Sequence, residues 1–170
     1  MYGALVDNGV EDHTCYCEGY ADAYAYLMRR CGIQCIPIAG SAGTGTTREE
    51  AEANAIEGLH EWNLMKIDDV WYETDPTYDD FDPDTSEDYV QEVLSDHPEM
   101  LWGLQHYYFA IRPQDMYDRA DNEPFVYYTD DSGQDYSLLW DHAVHIRASD
   151  PRVREKAGLL GDICCFLPEE

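Results

Sequence analysis

A chain of 170 residues with a 44% hydrophobic fraction is long enough to bury one sizeable core and too apolar for a disordered tail. Its 36 acidic and 10 basic residues give a formal charge of -26, a field that repels nucleic acid and anionic membranes and favours cationic partners, cations or plain solubility. No run of about 20 apolar residues is present to insert into a membrane as a helix.

Residues 18–31, EGYADAYAYLMRRC, read as a helix. Ala21, Tyr24, Ala25 and Met28 recur on one face, Glu18 suits the positive end, Arg29 and Arg30 the negative end, and Gly32 follows as a stop. Residues 33–39 read as a short strand, with Pro37 pointing to an edge or a strand end. The run 40–47, GSAGTGTT, reads as a flexible connection. It lacks the Gly-Lys-Ser/Thr ending of a phosphate-binding loop. Residues 48–57 are acidic and alanine-rich, fitting a helical turn or an insert.

Residues 60–67 and 70–75 form a predicted hairpin around Asp68-Asp69. The stretch 79–88 reads as a solvated acidic loop. Asp80, Asp82 and Asp84 imitate the start of an EF-hand, but Thr85 and Gln91 stand where its glycine and glutamate belong. A helix over 87–97 and strands at 106–111, 124–129 and 142–147 follow, with a turn at Asp131-Ser132-Gly133. One helix followed by mostly antiparallel strands predicts an α+β fold in a single domain spanning 1–170. The 14 tyrosines fit a wet binding groove and a tyrosine-rich core equally well.

Six cysteines stand at 15, 17, 31, 35, 164 and 165. Cys17 falls at the start of the first helix, where free N–H groups and the macrodipole stabilise a thiolate. His60 opens the first hairpin strand and Asp75 closes the second. Pairing about Asp68-Asp69 sets Trp62 opposite Asp75 and His60 opposite Thr77. His60 and Asp75 then share a face as diagonal neighbours about 7 Å apart, within reach of a hydrogen bond that would orient the imidazole. Rival readings remain. Zinc could be held by His13, Cys15 and Cys17 with Cys164 and Cys165, but C-x-C and Cys-Cys fit structural zinc poorly. The absence of C-x-x-C also disfavours a thioredoxin-like redox site. Cys31 and Cys35 read as buried, inert thiols. His142 and His145 fall on opposite strand faces and receive no role.

CEGYADAYAYL, GIQCIPIAG, HEWNLMKIDDVWYETDPTYDD and the opening YGALV together resemble the transglutaminase-like superfamily, whose core is similar to papain. The resemblance covers about residues 2–81. It implies a papain-like core with the nucleophile helix packed on an antiparallel sheet, and a catalytic Cys17, His60 and Asp75. The activity implied is acyl transfer or hydrolysis on amide bonds of a protein, peptide or cell-wall peptide, in a bacterial, secreted or cell-surface setting. It implies no cofactor, and the calcium that vertebrate crosslinking relatives use has no recognisable site here. Tyr2 is the resemblance's candidate for an oxyanion donor beside the Cys17 N–H, and Trp62 and Trp71 are candidate walls of the groove, though as core or hairpin-face aromatics they need no functional role. Two departures stand out. Glu61 occupies a position where the family has a small residue, and the approach VDNGVEDHTCYC is longer and more polar than usual. An inactive binding module on the same fold is therefore the main alternative. No signal peptide is visible, but Met1 directly precedes a run that reads as domain interior, so an upstream segment is expected.

Overall fold

The computed structural model describes residues 15–119, 127–139 and 142–153. Helix α1 (Cys17–Arg30) leads into strand β1 (Gln34–Gly45), helix α2 (Arg48–Glu57) and the hairpin β2 (Leu59–Ile67) and β3 (Val70–Thr74). A 3-10 turn (Pro83–Thr85) precedes helices α3 (Asp88–Asp96), α4 (Met100–Leu104) and α5 (Pro113–Met116). Strands β4 (Tyr127–Thr129), β5 (Asp135–Ser137) and β6 (His142–Arg147) complete the described elements. The principal sheet is antiparallel with order β3-β2-β1-β6, and β4 and β5 form a separate hairpin. The fold is α+β.

Helix α1 ends as its sequence dictates. Gly32 adopts φ +83°, a left-handed turn open to glycine at no steric cost, and the Ile33 N–H closes back on the Met28 carbonyl at 2.9 Å. Arg29 Nε reaches the Cys35 carbonyl at 2.6 Å and fastens the helix end to the next strand. Ala25 packs with Cys35 and Met65 under the sheet, and Asn63 Nδ2 donates to the Ala21 carbonyl at 2.8 Å. The opposite face carries the larger core. Ile38, Trp62, Leu64 and Ala143 meet Val90, Val93 and Leu94 of α3 and the buried rings of Tyr107 and Tyr108.

The largest departure from the sequence reading is β1. Residues 40–45 are not a flexible connection. They continue the strand and hold β6 on its far side, from Gly40 opposite Arg147 to Gly45 opposite His142. The small residues are there for packing: a Cβ on Gly43 would lie 2.2 Å from the backbone nitrogen of Ala55, because α2 presses directly on the strand. Pro37 lies where β1 pairs with β2 alone, before β6 begins, so its missing N–H faces an edge as expected. Gly43→Ala is expected to cost about 1–3 kcal/mol by overpacking, measurable as a lower urea midpoint with unchanged slope.

The predicted strand at 106–111 is absent. Tyr107 and Tyr108 are buried in a run of turns, and Ala110 at φ +55° breaks the extended path. Only Ile111 bridges to Glu73. The stretch 79–88 is less solvated than expected, since Asp79 is largely buried and accepts the Tyr108 N–H at 2.7 Å. Cys35 is buried as expected, but Cys31 is exposed just past the end of α1. No described helix is long and apolar enough to cross a membrane.

Candidate functional site

The hairpin turn sets the site. Asp68 and Asp69 both take positive φ, 48° and 66°, as a two-residue turn between twisted strands demands. The register that follows pairs Asn63 with Thr74, which extrapolates to Trp62 opposite Asp75 and His60 opposite Thr77. His60 and Asp75 therefore point to one face, and His60 Nε2 meets Asp75 Oδ2 at 2.6 Å. This bond occupies Nε2 and leaves Nδ1 as the ring's other polar atom.

A second imidazole joins them. His145 of β6 brings its Nε2 to the same Asp75 oxygen at 2.8 Å, and its side chain is 1% exposed. The other oxygen, Oδ1, accepts the N–H groups of Thr77 and Tyr78 at 3.0 and 3.2 Å. Asp75 is thus fully buried with four donors on one carboxylate. Burial alone would push its carboxyl up, but the bonds from His145 and His60 and their charges prevail and hold it well below the usual carboxylate range.

Cys17 stands at the first turn of α1, where its own N–H has no intrahelical partner. A hydrogen bond with His60 is the main cause that lowers its pKa. Burial opposes it, and the His60 charge and the N–H groups of Glu61 and Glu18 reinforce it. His60 responds in the opposite sense. Burial pulls its pKa down, but the bonds with Asp75 and Cys17 and their charges raise it to about 9. Neighbouring rings hold the imidazole, with Trp62 stacked at 5.9 Å and Tyr78 at 5.1 Å. Glu61, one residue on, is pushed to about 7 by burial and by the charges of Asp22 and Glu18.

Cys15 is also free, and its thiol is pushed up, chiefly by burial. The two cysteines of HTCYC therefore differ in character, and Cys17 is the one with a proton partner. Tyr2, His13, Cys164 and Cys165 lie outside the described residues, as does most of the approach to Cys17.

The expectation that Trp62 and Trp71 wall a groove is corrected. Trp62 is 0% exposed and donates its Nε1–H to the buried Glu73 at 2.6 Å, so it forms the floor beneath His60. Arg147 closes this support by pairing with Glu73. Trp71 pairs with Lys66, six residues along β2 from His60 and so about 20 Å away, and lies under the Lys66 ammonium. Of the EF-hand-like aspartates, Asp80 accepts the Tyr20 hydroxyl and Asp82 caps Asp84 N–H at 3.0 Å.

His145 is the residue that the sequence reading passed over. His142 and His145 do face opposite ways, but only one needed to reach the site. The signal lay in strand parity with Ala42, its β1 partner, and Ala42 fell in the stretch read as a loop.

The grouping His60, Asp75 and His145 has the residue types of a metal site, with ligand atoms within 4.8 Å of one another. Its spacing speaks for protons instead. Ligands around a tetrahedral zinc at 2.0–2.1 Å stand about 3.3 Å apart, whereas both imidazoles touch the carboxylate oxygen directly at 2.6 and 2.8 Å.

The chain is therefore an α+β protein with a helix-start thiol, an imidazole of raised basicity and a buried carboxylate shared by two histidines. No family model, curated protein or solved structure matches it.

Proposed function

We propose that this protein is a cysteine-dependent acyltransferase or hydrolase acting on amide bonds, with Cys17 as nucleophile, His60 as proton carrier and Asp75 as the group that orients His60. The observation that carries this reading is geometric: His60, held at 2.6 Å by the buried Asp75, is the hydrogen-bond partner of the helix-start thiol, and that bond lowers Cys17 while the bonds with Asp75 and then Cys17 raise His60. An imidazolium–thiolate pair is the reactive form of a cysteine nucleophile. The resemblance of CEGYADAYAYL and HEWNLMKIDDVWYETDP to transglutaminase-like sequences supports the same three residues and a papain-like core. On the same resemblance the substrate is a protein, peptide or cell-wall peptide.

The Cys17 sulfur adds to the amide carbonyl carbon and the carbonyl oxygen becomes an oxyanion. The N–H of Cys17, which has no intrahelical partner at the helix start, would donate to it. On collapse the C–N bond breaks, and the leaving nitrogen takes the proton from His60. His60 then removes a proton from water or an incoming amine as that group attacks the thioester. The C–S bond breaks, and acid or new amide departs with the thiolate restored.

The test is a covalent trap. Incubation with a glutaminyl peptide, quenched in acid and mapped by mass spectrometry, should leave a thioester adduct on the peptide bearing Cys17 and none in Cys17→Ala. Release of the acyl group to water or to added methylamine then separates hydrolysis from transfer. An adduct on Cys15, or equal labelling of both proteins, would overturn the assignment and favour a binding module.

A further inference from the structure

A hollow of about 610 Å³ opens beside this site. Tyr20 and Tyr24 line it from α1, the first of them one turn beyond Cys17, and Pro76 lines it directly after Asp75. Its outer wall is a run of rings. Trp102, 69% exposed, stacks on His106 at 4.4 Å with planes 14° apart, and Phe109 meets His106 edge-on at 6.3 Å.

At its base stands Asp79. One oxygen accepts the Tyr108 N–H at 2.7 Å, while the other accepts no hydrogen bond from the described residues. Burial pushes this carboxyl up to about 8, against the Tyr108 bond, with the Asp75 charge adding to the rise and Arg119 countering it. Asp80, also in the wall, adds a second carboxylate at the rim.

We propose that this hollow is a subsite for a cationic side chain, lysyl or arginyl, of the polypeptide whose amide is presented to Cys17. Aromatic faces attract a cation through their quadrupoles, and the open Asp79 oxygen supplies the charge-assisted acceptor that such a group needs. A neutral chain of equal length would cover the rings but bring the carboxyl no counter-charge beyond that of Arg119. The formal charge of -26 draws basic polypeptides to the surface in the first place. As a statement about substrate this rests on the acyl-transfer reading. As a statement about binding it does not.

Binding can be measured without turnover. In Cys17→Ala at about pH 8.5, Nα-acetyl-lysine amide and Nα-acetyl-norleucine amide are titrated while the Trp102 indole N–H is followed by NMR, assigned through Trp102→Phe. The lysine amide is expected to shift that signal and to bind about tenfold more tightly than the norleucine amide. Asp79→Asn keeps an acceptor for the Tyr108 N–H and should bring the two ligands within about twofold. Trp102→Ala, at an exposed position, should weaken both as measured by calorimetry. Equal affinity for the two ligands, an undisturbed indole signal, or discrimination that survives Asp79→Asn would each overturn the subsite. Lysine selectivity in a protein whose Cys17 forms no thioester would refute the catalytic reading and leave the cation site standing.

Discussion

Cys17→Ala and His60→Ala are each expected to lower kcat/KM on a peptide amide by about a thousandfold or more, and the double variant to be little worse than either. The two side chains act as one unit, so removing either removes the reactive form. The pH dependence follows from the opposed shifts. Cys17 is lowered, so thiolate forms below the ordinary thiol range. His60 is raised to about 9, so imidazolium persists through neutrality and disappears as pH rises through that value. The rate should therefore form a bell, its acid limb from protonation of the thiolate and its alkaline limb near pH 9 from loss of the imidazolium. Both limbs belong to the coupled pair. Iodoacetamide at about pH 6.5 offers a check that needs no substrate. It should alkylate Cys17 well ahead of Cys15, whose thiol is raised, and of Cys35, which burial raises to about 11. In His60→Ala the thiol loses its largest stabilising partner, and the rate should fall about tenfold for each unit of pKa regained. Alkylation of Cys17 at an unchanged rate in that variant would show that the thiol and the imidazole are not coupled.

Much of the site was legible because it is local. A two-residue turn fixes strand register, and register fixes which side chains share a face, so Asp68-Asp69 placed His60 against Asp75 without any long-range information. Helix α1 was equally plain, with its face of Ala21, Tyr24, Ala25 and Met28, its terminal charges and Gly32. The failures share a cause in partners distant along the chain. Gly40, Gly43 and Gly45 looked like loop because glycine normally breaks a strand, and only the approach of α2 and β6 explains them. With that half of β1 hidden, β6 had no partner and His145 no address. HYYFAI looked like strand by composition, but Tyr107 and Tyr108 serve as buried plugs against the sheet rather than as ladder members. Trp62 looked like a groove wall because tryptophan often is one, whereas its bond to the buried Glu73, which Arg147 pairs from a half-buried position, makes it a floor.

The shared carboxylate yields the second prediction, in which stability and activity should separate. Asp75→Ala removes the acceptor of four hydrogen bonds and leaves two buried imidazoles facing a void. It should cost about 3–5 kcal/mol of stability and nearly all activity. Asp75→Asn keeps the volume and one acceptor, and should lower kcat by about a hundred- to ten-thousandfold with a smaller loss of stability. Because the folded Asp75 carboxyl is held below its ordinary value, its contribution is complete above the unfolded pKa of about 3.9 and fades as pH falls through the folded value. The wild type should therefore lose stability on acidification below about pH 4 more steeply than Asp75→Asn. His145→Phe is the sharper case. The native Nδ1 is buried without a hydrogen-bond partner, and the ring already sits among Trp62, Tyr78 and Tyr108. A phenyl ring fills that space and removes the unsatisfied nitrogen, so packing is kept and the urea midpoint should fall only by what the lost charge-assisted bond to Asp75 was worth, about 1.5–3 kcal/mol. The Asp75 carboxylate, however, loses one of the two imidazole donors that fix its Oδ2. With that constraint gone, kcat should fall about 10- to 100-fold at unchanged KM. The alkaline limb should move upward as the whole carboxylate charge turns to His60. A fall in stability with kcat and the pH profile unaltered would make His145 a packing residue only.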